Sequence, residues 1–210
     1  MKKIHFFILL ILLSTPLLVW LNAEGNPLDY FFYQVPAGQS LYVFTKLIGL
    51  YTFFLLWLHI IWVLLKQSAL TAYLPQWNKN YHQTTGLIIT GLIILHISLF
   101  VTAVSLRQGE FAYHLLLPNF SDYYHSLLGL GVLALWLLPL VIIAGMYLKT
   151  GKGKPYWHYL AFFMFLLIFF HGIGVGSETK NGIFFWFYLM MGSSVIIALL
   201  SRFILTRYWL

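Results

Sequence analysis

The chain contains no cysteine, and only 8% of its 210 residues are charged. Without thiols it has no disulfide, no zinc–thiolate centre and no thiol–disulfide relay, so any redox chemistry must belong to a bound group. Charge this scarce, against roughly 25% in an ordinary soluble domain, excludes a conventional water-soluble globule. Acids are scarcest: Glu24, Asp29, Glu110, Asp122 and Glu178 stand against twelve Lys and Arg, and none of the five lies inside an apolar run. Nucleotide fingerprints are missing too. Lys149–Pro155 supplies glycines and lysines but not the strand, spacing or helix start of a phosphate loop, so it reads as a basic topology anchor, and no flavin or NAD(P)H site is expected.

What is present is apolar, with 61% of residues hydrophobic. Six runs long enough to span a bilayer occur at about 4–22, 41–65, 82–105, 124–148, 156–174 and 183–201. Backbone polar groups cannot be left unpaired in lipid, and the runs lack strand-like alternation, so helices are predicted and a barrel is excluded. The expected fold is an all-α integral membrane protein, a six-transmembrane-helix bundle forming one domain over 1–210. The first run follows Met1-Lys2-Lys3 as a secretory signal would. Its length, and the poor fit of Leu21 and Asn22 to a cleavage site, predict that it is retained as a span.

Charge placement predicts the orientation. Lys2, Lys3, Lys66, Lys79, Lys149, Lys152, Lys154, Arg202 and Arg207 fall on one side, against Lys46, Arg107 and Lys180 with all the acids on the other. The positive-inside rule makes the first side cytoplasmic, with both termini inside a bacterial-type inner (plasma) membrane. The net charge of +7 is then a topology signal, with lipid bilayer rather than nucleic acid as the partner.

Histidine carries the chemical signal. His82 and His96 are fourteen residues apart in the third run, and His158 and His171 thirteen apart in the fifth. Either spacing separates two rings by about 20 Å along a helix, most of the bilayer core. Both helices are predicted to run outward, which sets His82 level with His158 near the cytoplasm and His96 level with His171 near the outer face. Two imidazoles at each of two depths are what two stacked bis-histidine sites require. Fourteen residues fall about 40° short of four turns, so His82 and His96 share a face; thirteen fall about 140° short. Either the fifth helix tightens locally, or the two planar groups are rotated relative to one another. Neutral imidazole ligates iron through one nitrogen while an acceptor orients the other, and two axial ligands leave no open position, which favours electron transfer. Gly86, Gly91, Gly172, Gly174 and Gly176 provide either room for a macrocycle or close helix packing. Phe162, Phe163, Phe165, Phe169 and Phe170 are candidates to line it, although aromatic residues at 20% of the chain make none of them distinctive.

The patterns Tyr81-His82-Gln83-Thr84-Thr85-Gly86 to Leu95-His96 and Trp157-His158-Tyr159-Leu160 to Phe170-His171-Gly172, set in six apolar runs, resemble the ferric reductase-like transmembrane domain. That domain is shared by NADPH oxidases, ferric-chelate reductases and the haem-binding membrane subunit of periplasmic methionine sulfoxide reductase systems. The resemblance covers essentially the whole chain. It implies two b-type haems, the inner iron held by His82 and His158 and the outer by His96 and His171. It also implies an oxidoreductase component passing electrons to an external acceptor such as ferric iron, oxygen or a partner protein. The flavin and nicotinamide domains that many members append are not expected in this chain, so a separate flavin reductase or the quinol pool is the expected donor. The third run opens with Asn80-Tyr81-His82-Gln83 rather than the arginine-rich, leucine-glycine motif usual in the methionine sulfoxide reductase subunit, which makes that subunit the alternative rather than the leading reading. A histidine-dependent proton or metal transporter is a further alternative, disfavoured because no span contains a carboxylate. A haem-free structural subunit leaves the matched depths unexplained. Among secondary candidates, His59 would approach the inner haem edge or, the favoured reading, bond to a neighbouring helix; His114 and His125 would touch a propionate or an external acceptor, and His5 is read as incidental.

Overall fold

The computed structural model describes residues 2–65, 79–152, 157, 159–180 and 182–207, and among these the side chains of 2–12, 79 and 202–207 are outside the description. Every regular element among the described residues is helical: α1 (Lys2–Glu24), α2 (Asp29–Phe32), α3 (Gln39–Leu65), α4 (Lys79–Gln108), a 3-10 turn (Tyr113–Leu116), α5 (Tyr123–Lys149), α6 (Leu160–Val175) and α7 (Gly182–Arg207). Four stretches, Gln39–Leu65, Asn80–Gln108, Tyr123–Lys149 and Gly182–Ser201, are long and apolar enough to cross a membrane. Large apolar side chains stand exposed on them, Leu87 at 71% and Ile197 at 63% among others. In water such surfaces drive aggregation, whereas hydrocarbon accommodates them.

The fifth run, expected over 156–174, is described from 159 onward and at Trp157, which is also helical. Its helix, α6, is sixteen residues long and apolar, beginning at Leu160 after Tyr159, which makes no side-chain cap. At about 1.5 Å per residue it covers some 24 Å, short of a full hydrocarbon core. Its far end is closed by Thr179, whose hydroxyl donates to the carbonyls of Gly172 and Gly176 at 2.8 and 3.0 Å. His158 lies outside the described residues, as do residues 153–156 of the basic turn.

The chain divides into two compact units. The first takes residues 1–54 and 92–115. Within it α1 runs antiparallel to α3: Lys46 meets Glu24 at 2.6 Å, the Trp20 indole donates to the Val43 carbonyl at 2.9 Å, and the Tyr51 hydroxyl donates to the Leu13 carbonyl at 3.1 Å. On α4, Phe100 packs against Tyr42 with ring centroids 6.3 Å apart, and Arg107 donates to Gln39. That order makes α4 antiparallel to α3 as well. Gly109 ends α4: its N–H closes the last turn on the Ser105 carbonyl at 2.9 Å, and its positive φ of 79° turns the following chain out of the helix.

The second unit takes residues 55–91 and 116–210. Its α6 and α7 interlock by exchanging glycines for rings. Gly172 of α6 makes room for Tyr188 of α7, and Gly192 of α7 makes room for Phe169 of α6. The two rings stack at 5.2 Å, and the Tyr188 hydroxyl reaches the Phe169 carbonyl at 3.3 Å. Gly174 likewise receives Leu127 of α5. Small residues that let apolar helices approach are the ordinary means of association where no water drives it. Gly172, Gly174 and Phe169 therefore act in helix packing, while a Cβ at Gly86 or Gly91 would meet nothing within 4 Å.

Candidate functional site

In the first unit, His96 lies against the Thr45–Gly49 turn of α3. Its Nδ1 is 2.8 Å from the Thr45 carbonyl and 3.1 Å from the Thr45 hydroxyl. The hydroxyl donates to the His96 carbonyl at 2.7 Å, so side chain and backbone of Thr45 both engage this histidine. Thr45 is buried, 2% exposed, which makes these bonds the means of satisfying its polar atoms. The ring rests on Gly49, where a β-carbon would stand 2.9 Å from Cε1.

In the second unit, His171 of α6 lies against the Leu127–Gly131 turn of α5. Its Nδ1 is 2.9 Å from the Leu127 carbonyl, and a β-carbon on Gly131 would stand 2.8 Å from that same nitrogen. The two arrangements share one pattern: a histidine on one helix, a carbonyl at position i of the preceding spanning helix, and a glycine at i+4. A carbonyl only accepts hydrogen bonds, so Nδ1 carries the proton in each ring and the lone pair of the neutral imidazole belongs to Nε2. This is how a metal-ligating histidine is normally held by its second nitrogen.

His82 is placed differently. Its ring stacks on that of His59 of α3, centroids 4.5 Å apart and planes 21° from parallel. His59, a secondary candidate from sequence, is thus a direct neighbour of a primary one. Near the same end of α4, Lys149 donates to Gln83 at 3.3 Å.

His125 is engaged in closing a helix. Asp122, the N-cap of α5, accepts from the His125 backbone N–H at 2.9 Å, and its other oxygen lies 2.5 Å from the His125 Nδ1. The backbone N–H foremost, and the ring second, hold the Asp122 carboxyl below the usual carboxylate range. His114 is exposed on the 3-10 turn, edge-on to Tyr113 at 6.2 Å.

Among the described residues no group of three or more His, Asp or Glu gathers as a metal site. A bis-histidine iron needs only one imidazole on each side, and its remaining ligands come from the macrocycle. The donors of His96 and His171 fit that requirement in tautomer and in support. Thr45, Gly49 and Gly131 are not singled out by the sequence reading. A glycine midway along an apolar helix, four residues after the residue whose carbonyl is used, is the signal that marks them.

No family model matches the chain, and no curated protein or solved structure matches it either.

Proposed function

We propose that the chain is the membrane component of an oxidoreductase, a six-span carrier of single electrons that holds two b-type haems through His82 with His158 and His96 with His171. The observation that carries this reading is the shared support of His96 and His171, each with Nδ1 on a helix carbonyl and its ring against a glycine. Pairing of the histidines rests on their depths along the sequence. A bound b-type haem would supply reversible one-electron iron chemistry, and His96 and His171 would offer it the Nε2 lone pair that their Nδ1–carbonyl contacts leave. Thr45 and Leu127 hold the imidazoles as neutral donors through their carbonyls, and the surrounding apolar helices exclude water. The donor is a cytoplasmic flavin reductase or a membrane quinol, and the acceptor an external species such as ferric iron, oxygen or a partner protein.

The test is the spectrum of the purified full chain. A dithionite-reducible b-type spectrum with about two haems per chain supports the reading, and a folded preparation that takes up no haem overturns it. His96→Ala and His171→Ala are each expected to remove about half the pigment by pyridine haemochrome assay, leaving one low-spin haem.

A further inference from the structure

We infer that Gly49 and Gly131 are positioning residues: each uncovers a helix carbonyl so that one histidine, His96 or His171, is fixed as the Nδ1–H tautomer with its ring plane set against the neighbouring helix. The importance of that tautomer for iron rests on the haem reading above; the glycine device itself does not.

Helix geometry supplies the reason. A Cα–Cβ bond tilts toward the helix N-terminus, so the side chain at i+4 lies over the carbonyl of residue i. That carbonyl accepts the i+4 backbone N–H and keeps a second lone pair that a side chain at i+4 shields. Glycine at i+4 removes the shield. In α3 the carbonyl is that of Thr45 and the glycine Gly49; in α5 they are Leu127 and Gly131. In both places an imidazole fills the space a β-carbon would take, and its Nδ1 is within 2.9 Å of the uncovered oxygen. A β-carbon at Gly49 would lie 2.9 Å from Cε1 and 3.1 Å from Nδ1 of His96; at Gly131 it would lie 2.8 Å from Nδ1 and 3.0 Å from Cε1 of His171. Since β-carbons essentially never sit closer than 3.0 Å to such an atom, something must shift in the alanine variants, and the inference predicts that the ring moves off the carbonyl. The proton on Nδ1 then loses its acceptor, and the preference for Nε2 as the lone-pair nitrogen goes with it. The same construction arises twice on unrelated local sequences, Thr45-Lys46-Leu47-Ile48-Gly49 and Leu127-Leu128-Gly129-Leu130-Gly131, so the common element is the carbonyl–glycine spacing rather than a shared motif.

The experiment uses the full chain with ¹⁵N-labelled histidine, purified haem-free in detergent, with resonances assigned by single His→Gln variants. In the wild type, His96 and His171 are expected to show the Nδ1–H signature. Gly49→Ala is expected to abolish it at His96 alone and Gly131→Ala at His171 alone, while Gly86→Ala, whose β-carbon meets nothing within 4 Å, changes neither. An Nε2–H signature at either histidine in the wild type overturns the inference without any glycine variant having to fold. Retention of both Nδ1–H signals in both glycine variants overturns it as well. A second readout applies to haem-loaded protein: weakening the Nδ1 bond lowers the electron donation of the ring, so the affected haem's midpoint potential shifts positive and its low-spin electron paramagnetic resonance g-values change. Loaded variants with unaltered potentials and g-values count against the inference and leave the haem reading standing. Correct tautomers in a chain that never binds haem do the opposite, sinking the haem reading and keeping the glycine device.

Discussion

The two histidines of α4 are held by different physics, although they share one helix and lie fourteen residues apart. His96 is gripped by a carbonyl and a hydroxyl of Thr45 with its ring on Gly49. His82 meets the flat face of His59 at 4.5 Å. A carbonyl decides which nitrogen bears the proton and where the ring points. The stack contributes to ring orientation, and face-to-face contact does not by itself distinguish Nδ1 from Nε2. In its carbonyl contact and its glycine seat, His96 resembles His171 of a different helix pair, although His82 is its neighbour on α4.

The largest expected effect breaks the comparison at its root. If both histidines of α4 are axial ligands, His82→Ala and His96→Ala should each halve the haem content, and the double variant should abolish it. Haem content in His82→Ala equal to that of the wild type, with His96→Ala halved, makes His82 a stacking neighbour and leaves the carbonyl-held histidine as the ligand. Pyridine haemochrome assay of the purified chains decides this.

Next in size is the stack itself. Aromatic pairs contribute about 0.5–1.5 kcal/mol beyond the area they bury, so His59→Ala should destabilise the chain in detergent by about that free energy, seen as a lowered thermal midpoint. His59→Phe keeps a flat ring in place and is expected to restore most of the loss. If the phenylalanine variant is as unstable as the alanine one, His59 contributes through its nitrogens and the contrast with His96 narrows.

A smaller effect separates the two carbonyl-held sites. Thr45 adds hydroxyl bonds to His96 that Leu127 cannot supply to His171. Thr45→Val removes the hydroxyl and retains the carbonyl, at a cost of about 1 kcal/mol or somewhat less for a bond between apolar helices. The His96 Nδ1–H signal should survive this change, since its acceptor is backbone. Its disappearance transfers the burden from carbonyl to hydroxyl and confines the glycine device to α5 and α6.

These contrasts also divide what the residues reveal in one dimension from what they conceal. The runs at 41–65, 82–105, 124–148 and 183–201 appear as helices Gln39–Leu65, Lys79–Gln108, Tyr123–Lys149 and Gly182–Arg207, because apolar length and period are local properties. The run at 156–174 is harder to bound, since lysine, glycine and proline precede it and the described helix begins only at Leu160. His96 and His171 draw notice in the sequence by residue type and spacing. Their partners are not, because the acceptors are backbone carbonyls, which every residue carries. Gly86 and Gly91 draw notice by standing beside His82 and His96 in sequence. The glycines that touch an imidazole, Gly49 and Gly131, sit on other helices, and only the register between antiparallel helices brings them there. His59 meets His82 for the same reason: positions 59 and 82 come level only when α3 and α4 are set side by side.

The smallest effect concerns a third way of holding an imidazole, by a carboxylate at a helix end. Asp122 caps α5, and the His125 backbone N–H, followed by the His125 ring, keeps its carboxyl below the usual range. A carboxyl held lower in the folded than in the unfolded chain contributes stability that is fully present above the unfolded value. That contribution fades as pH falls through the ordinary carboxylate range, about pH 4, and is gone below the folded value. The thermal midpoint of the wild type should therefore decline over that interval by more than that of Asp122→Asn, which still caps the helix but does not titrate. Both residues of the pair are about half exposed, so salt screens the contact and the difference should shrink as ionic strength rises. By contrast, the carbonyl contacts of His96 and His171 involve no titrating acceptor, and added salt at neutral pH should leave their Nδ1–H signals unchanged. A salt-sensitive tautomer at His96 or His171 places an ionic partner where the structure has a peptide oxygen, and removes the distinction between the imidazoles held within the helices and the one at the end of α5.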